Sequence, residues 1–271
     1  EIGADILLAT DPDADRLGVY SKDVKSGEYK SFTGNMSGML IAEYLLSQRK
    51  ERGLIHKNGA FVKTIVSTNM ADAIAKEYNV KLIEVLTGFK FIGEQIKFFE
   101  QQHTYEYEFG FEESYGCLVG THARDKDGVV ASVLISEMAA YYYVNGKSLY
   151  EGLMDLYEKH GYFKEETISL TLSGIEGLAK INNIMAYFRE NERSEINNTK
   201  VIEVKDYQKG IDSLPKANVL KYFLEDGSWI AIRPSGTEPK LKFYIATKGK
   251  TELEAIQNVD GIKSDINNMI N

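Results

Sequence analysis

Three aspartates at alternate positions, Asp11, Asp13 and Asp15, close the apolar run "DILLAT" and are followed at once by Arg16 in "TDPDADR". Residues i, i+2 and i+4 of an extended backbone face one side, so the three carboxylates could converge on one cation. Hard oxygen ligands of this kind select Mg2+ or Ca2+. An EF-hand loop also begins D-x-D-x-D, but it requires Gly at its sixth position and Glu at its twelfth. Those positions hold Arg16 and Lys22, which excludes it. Three carboxylates beside an arginine suit a cation completed by a phosphate oxygen that the arginine also touches. Taken alone, the stretch also reads as a solvated acidic turn.

Two further loops carry chemistry-bearing residues. In "GFEESYG", residues 110–116, two glycines bracket Glu112, Glu113 and Ser114. Carboxylates that accept hydrogen bonds in pairs suit vicinal sugar hydroxyls. Downstream, "ARDKDG" places Arg124 and Lys126 ahead of a helix. In "RPSGTEP", residues 233–239, Arg233 can fork onto a phosphate. There the Ser235 and Thr237 hydroxyls and the amides around Gly236 can form an anion nest.

The elements that position these loops follow from periodicity. From residue 34 to about 160, strands such as "GAFVKTIVST" and "VKLIEVLT" alternate with helical stretches such as "MSGMLIAEYLLSQRKERG" and "VVASVLISEMAAYYYVNG". Asn69 is the expected cap of the helix "NMADAIAKEY". The expected fold class is α/β, a mixed sheet between helices. Past Tyr162, strands of alternating polarity and a hairpin around Asp226-Gly227 predict a smaller C-terminal α+β domain with a mainly antiparallel sheet.

The 271 residues, 43% of them hydrophobic, suffice for roughly two domains. Forty acidic against thirty-two basic residues, a net charge near −8, argue against nucleic acid or an anionic membrane as partner. A single cysteine, Cys117, forbids an internal disulfide and suits a reducing, cytoplasmic setting. Cys117 itself reads as a small core residue, and Trp229, on a hairpin strand, as packing in the core. His56, His103 and His160 sit in polar or element-ending positions, as surface histidines do, while His122 lies nearer the "ARDKDG" loop.

With the three loops in this order, the sequence resembles the α-D-phosphohexomutase family of phosphoglucomutases and phosphomannomutases. "TDPDADR" is similar to the family's metal loop, "GFEESYG" to its sugar-recognition loop and "RPSGTEP" to its last phosphate loop. "LTGFKFIG", with Thr87, Gly88 and Phe89, resembles the loop that distinguishes the two orientations of the sugar, and Lys63 in "FVKTIVST" aligns with a sugar-phosphate contact. The resemblance implies that residues 1–33 are the end of domain 2, 34–162 domain 3 and 163–271 domain 4.

It implies a transfer between a phosphoserine and a phosphosugar, through a bisphosphate, with glucose 1,6-bisphosphate as activator. Asp11, Asp13 and Asp15 would hold Mg2+, with Arg16 as a second cation. Glu112 and Ser114 would grip sugar hydroxyls, and Arg124 would be an electrostatic contact. Lys126 would move a proton, its pKa lowered by other cations. Arg233, Ser235, Gly236 and Thr237 would hold the phosphate that is not transferred. The family's serine stretch, of the type T-A-S-H-N-P, does not occur here. The expectation is a truncated C-terminal part, inactive without the N-terminal domains of the same polypeptide. Phosphomannomutase, phosphopentomutase and a non-catalytic sugar-phosphate or metal-binding module are the alternatives.

Overall fold

A computed structural model describes residues 3–172, 174–191, 193–236 and 238–270, apart from the Ile175 side chain. It divides into two compact units, Glu1–His160 and Gly161–Asn271. No helix among the described residues is long and apolar enough to cross a membrane.

The first unit opens with an antiparallel meander of β1 (Ile6–Thr10), β2 (Leu17–Lys22) and β3 (Tyr29–Phe32). Thr10 pairs with Leu17, so the six residues Asp11–Arg16 form the tip of a hairpin. Helix α1 (Gly34–Glu51) follows, capped by the Thr33 hydroxyl, which accepts from the Met36 amide at 3.2 Å. Then come β4 (Gly59–Thr64), α2 (Met70–Tyr78), β5 (Lys81–Val85), α3 (Phe89–Gln102), β6 (Glu106–Phe111), β7 (Cys117–Val119), α4 (Gly128–Val144) and α5 (Leu149–His160).

The sheet order is β5-β4-β6-β7. β4 runs parallel to β5 and β6, and β7 runs antiparallel. All six residues of β4 are buried, as expected of a central parallel strand covered on both faces. On one face Ala60, Val62 and Val85 pack with Ile92 and Ile96 of α3. On the other, the Phe61 ring lies 5.4 and 5.8 Å from those of Phe109 and Phe111. There α1 comes so close that a Cβ on Gly38 would meet the Phe111 ring at 2.4 Å. In such sheets the loops at the carboxyl ends of the parallel strands are where ligands bind. Here those loops contain Thr87 and Gly88 after β5, and Glu112 to Gly116 after β6.

Lys63, on the buried β4, is fully enclosed. Its ammonium contacts the Thr68 carbonyl and Asn69 Oδ1 at 3.2 Å, Asp72 at 2.7 Å and Glu84 at 3.4 Å. Asn69 precedes α2 as expected but makes no cap hydrogen bond, because its side chain is turned to Lys63 instead. Lys63 thus has no exposed surface to offer a sugar phosphate. The carboxylates are 56% and 38% exposed, so they can rehydrate whereas the ammonium cannot. Lys63→Met is therefore expected to cost only about 1 kcal/mol, whereas Asp72→Asn with Glu84→Gln should cost about 3 kcal/mol by leaving a buried charge unpaired. Urea melts of the two variants check the order; equal losses would contradict it.

The second unit is one antiparallel sheet, order β8-β13-β12-β11-β10-β9. Its strands are β8 (Tyr162–Thr171), β9 (Glu195–Ile196), β10 (Thr199–Asp206), β11 (Leu220–Leu224), β12 (Trp229–Pro234) and β13 (Lys240–Gly249). Helices α6 (Gly174–Glu190) and α7 (Glu252–Ile270) supply Met185, Phe188, Val259, Ile262 and Ile266 to its core. The predicted Asp226-Gly227 hairpin joins β11 to β12. Trp229 is buried at 1% exposure, as the sequence led one to expect. β3, which reads as part of a polar turn, and β7 and β9 are not evident in the sequence, being only four, three and two residues long.

Candidate functional site

The hairpin tip is not extended. Ala14 takes a left-handed conformation (φ 56°), and its amide donates to the Asp11 carbonyl at 3.0 Å. This turn, rather than strand alternation, brings carboxylate oxygens of Asp11, Asp13 and Asp15 within 4.8 Å of one another. Desolvation opposes the Asp11 charge, but hydrogen bonds from the Arg16 and Asp15 amides, with the Arg16 guanidinium nearby, hold its carboxyl below the usual range. Arg16 Nε lies 3.9 Å from Asp11 and 3.7 Å from Asp15.

The tip is anchored to the loop after β6 and to the start of α4 by backbone. The Gly128 amide donates to the Ala14 carbonyl at 2.9 Å and the Leu17 amide to the Tyr115 carbonyl at 3.1 Å. Lys126 completes the link: its ammonium sits 2.7 Å from Asp15, 2.9 Å from Asp125 and 5.5 Å from the centre of the Phe89 ring. Gly116 makes room for it, since a Cβ there would meet Lys126 Cδ at 2.0 Å. Burial works against the Lys126 charge, but the two carboxylates outweigh it and raise the pKa above the ordinary lysine value. The expected lowering by other cations is corrected: the neighbours within ion-pair distance are acids.

Glu112 is buried, and its Oε2 accepts from the Ser114 hydroxyl at 3.2 Å. Burial pushes its carboxyl up, against the opposing pull of Lys126, Ser114, Arg16 and the Gly88 amide. Gly88, with φ 122°, starts α3 and places Thr87 and the buried Phe89 beside this group. Three buried oxygens here have no hydrogen-bond partner: Asp15 Oδ1, Thr87 Oγ1 and Glu112 Oε1. Buried polar atoms are nearly always satisfied, so three such atoms around one cluster of charges make this a candidate ligand site.

The structure therefore brings Asp11, Asp13, Asp15, Arg16, Thr87, Gly88, Phe89, Glu112, Ser114 and Lys126 together. Arg124 stands apart, forking onto Glu100 at 2.7 and 2.6 Å and donating to the Thr121 and Ala123 carbonyls. His122 pairs with Asp127 at 2.9 Å. Asp125, the second partner of Lys126, was missed from the sequence although it adjoins it. His160 is not a surface histidine: its side chain is 10% exposed and lies 3.5 Å from Glu77. With Glu43 and Glu77 it forms a second trio of potential metal ligands, whose carboxylates the Lys159 ammonium spans at 3.3 and 2.5 Å. Cys117 is buried and its thiol is pushed up to about 12 by burial, with Asp127 adding to the shift. It should resist alkylation at pH 8 in the folded chain and react once denatured; equal rates in both states would contradict this.

In the second unit, Arg233 and Ser235 lead the hairpin between β12 and β13. Arg233 donates to the Tyr244 hydroxyl at 3.4 Å, and the Ser235 amide donates to the Lys240 carbonyl at 2.7 Å. Gly236 is exposed, with open space around it, and Thr237 lies outside the described residues. Lys242 pairs across the strands with Arg233, adding a cation that sequence reading passed over.

Comparison with known proteins agrees with these features. Residues 33–160 match the family "Phosphoglucomutase/phosphomannomutase, alpha/beta/alpha domain III", and residues 187–259 match its C-terminal domain. A phosphoglucomutase of Staphylococcus aureus is 38% identical over 279 residues, covering 98% of this chain and 48% of that protein. The chain thus spans just under half the length of this relative. Among solved structures, the open form of the Paramecium phosphoprotein pp63/parafusin, a phosphoglucomutase, aligns over 98% of this chain and 45% of its own, with TM-score 0.70 and 22% identity. An Aspergillus fumigatus N-acetylphosphoglucosamine mutase in complex with GlcNAc-6P and magnesium aligns over 98% of this chain and 49% of its own, with TM-score 0.57 and 13% identity. The chain belongs to the phosphoglucomutase/phosphomannomutase family, the α-D-phosphohexomutases, and carries its domain III and C-terminal domain.

Proposed function

We propose that this chain is the metal- and sugar-binding part of a phosphoglucomutase that interconverts glucose 1-phosphate and glucose 6-phosphate through a phosphoserine and glucose 1,6-bisphosphate. The observation that carries the reading is the cluster of three orphaned buried oxygens beside three convergent carboxylates and two cations. The choice of glucose rests on the phosphoglucomutases among its 38–39% identical relatives.

The donor set fits Mg2+: three carboxylates close together, one with a buried oxygen that accepts no hydrogen bond. Held by Asp11, Asp13 and Asp15, the ion would supply charge neutralisation for the transferring phosphoryl group. Arg16 adds a second positive charge on the same side. Glu112, Ser114 and Thr87 offer hydrogen bonds to the sugar hydroxyls, and the buried Phe89 walls the site. Lys126 serves as the proton carrier. Asp15 would be shared between the ion and the Lys126 ammonium, with Asp125 the other carboxylate beside that ammonium. In the second unit, the Arg233–Ser235–Gly236 turn, with Thr237 and Lys242, offers a binding place for the phosphate that is not transferred.

The test is a coupled assay of the intact enzyme with glucose 1-phosphate, glucose 1,6-bisphosphate and Mg2+, which should yield glucose 6-phosphate. The same assay with mannose or ribose phosphates ranks the alternative sugars, and higher efficiency on either would overturn the choice of glucose. These 271 residues alone, with no T-A-S-H-N-P-type stretch, should show no turnover. In the intact enzyme Lys126→Met is expected to lower kcat about 10²-fold or more, the usual worth of a proton carrier, without weakening Mg2+ binding. A kcat within a factor of three of the parent would remove Lys126 from the mechanism.

A further inference from the structure

The second unit holds a cleft of about 480 Å3 along β10 that the phosphate hairpin does not reach. β9 pairs with β10 only at Thr199 and Lys200. Past that point no strand among the described residues covers the outer edge, and a bulge separates Val201 from Glu203. Ile202 and Val204 line the cleft and remain 61% and 45% exposed, an apolar mouth beside the charged residues of the lining.

Its cations are Arg189, Arg193 and Lys209, against Glu203 and Asp206. Asp206 is already engaged by Arg189 at 3.3 Å, and Arg189 also donates to Asn218 at 2.6 Å. Glu203 lies 3.9 Å from Lys205. Arg193 is fixed differently: it stacks 5.4 Å from the centre of the Tyr187 ring and donates to the Tyr187 hydroxyl. Its Nε is buried and has no hydrogen-bond partner. A pinned guanidinium with an unspent, desolvated donor costs stability unless an acceptor arrives. Both guanidinium groups also act on the cleft wall: burial pushes the Tyr222 hydroxyl up to about 12, and Arg193 and Arg189 oppose that shift.

We infer that this cleft binds a ring-bearing phosphomonoester, the phosphate received by Arg193 Nε and Lys209 and the ring laid against Ile202 and Val204. Its volume lies in the range of small-molecule sites, and fixed arginine donors are the usual recognition for phosphate. The occupant is a sugar phosphate or a nucleoside monophosphate, bound independently of the 233–239 hairpin.

The test is a titration of the 15N-labelled chain at 0.15 M salt with inorganic phosphate, glucose 6-phosphate and adenosine 5′-monophosphate, following Arg Nε–Hε and backbone resonances. The expected result is saturable shifts at Arg193 Nε and the amides of Ile202–Val204. One of the two esters should bind at least about tenfold tighter than phosphate, and which one identifies the source. Arg193→Gln and Lys209→Gln should each weaken that ester about tenfold, a difference of ~1.4 kcal/mol, while Arg233→Gln leaves it unchanged. The exposed Lys209→Gln keeps the test decisive if Arg193→Gln melts early. Shifts confined to residues 233–240, parental affinity in both cleft variants, or phosphate binding as tightly as the esters would overturn the inference.

Discussion

Asp13→Ala in the intact enzyme is expected to lower kcat by about 10³-fold at saturating Mg2+, roughly 4 kcal/mol of lost transition-state stabilisation. Asp11 and Asp15 have second duties, as acceptor for the Arg16 and Asp15 amides and as the contact of Lys126. Replacing either would disturb the hairpin tip as well as the metal. Asp13 is exposed, and its principal role in the site is its carboxylate's place in the trio. Its loss should therefore leave the melting temperature within about 2 °C of the parent, a change under ~1 kcal/mol, while activity collapses. A rate within threefold of the parent would contradict the metal assignment, and a large loss of stability would move Asp13 from chemistry to folding.

Gly34→Ala should produce a large structural effect in the first unit. Gly34 opens α1, and a Cβ on it would lie 2.2 Å from the Glu113 carbonyl oxygen and 2.4 Å from the Tyr115 amide nitrogen. Both obstacles are backbone, so no rotamer change relieves them; the loop 112–116 or the helix start must move. Overpacking of this severity is expected to cost about 3 kcal/mol, lowering the first unit's melting temperature by about 6–12 °C. Because the displaced loop carries Glu112 and Ser114, substrate affinity should fall with it. Gly236→Ala provides the contrast. No heavy atom lies within 4 Å of the added Cβ, so stability should change by less than about 0.5 kcal/mol. Similar melting temperatures for the two variants would refute the packing argument.

Much of this site was legible in the sequence because its residues come in short, ordered loops. "TDPDADR" and "GFEESYG" each name their ligand groups directly, and apolar periodicity places both at strand ends. The manner of convergence was not legible: Asp11, Asp13 and Asp15 meet through the left-handed turn at Ala14, a backbone state that an Ala does not advertise. The sign of the Lys126 shift also escaped. It depends on Asp15, 111 positions away in the chain, and alternation cannot reveal a tertiary ion pair. Lys63 is the same lesson in the core, since its partner Glu84 stands beside it through the parallel register of β4 and β5. Lys242 did have a signal. Counting outward across the hairpin from Pro234 and Leu241 pairs Arg233 with Lys242, and the alternation of "KLKFY" places that lysine on the arginine's face.

Mn2+ in place of Mg2+ tests most directly whether the acidic tip is the metal site of this chain. In amide spectra of the 15N-labelled chain, low Mn2+ should broaden residues 11–16, 87–89, 112–116 and 125–128, and excess Mg2+ should reverse the effect. Broadening centred on Glu43, Glu77 and His160, with the tip untouched, would contradict it.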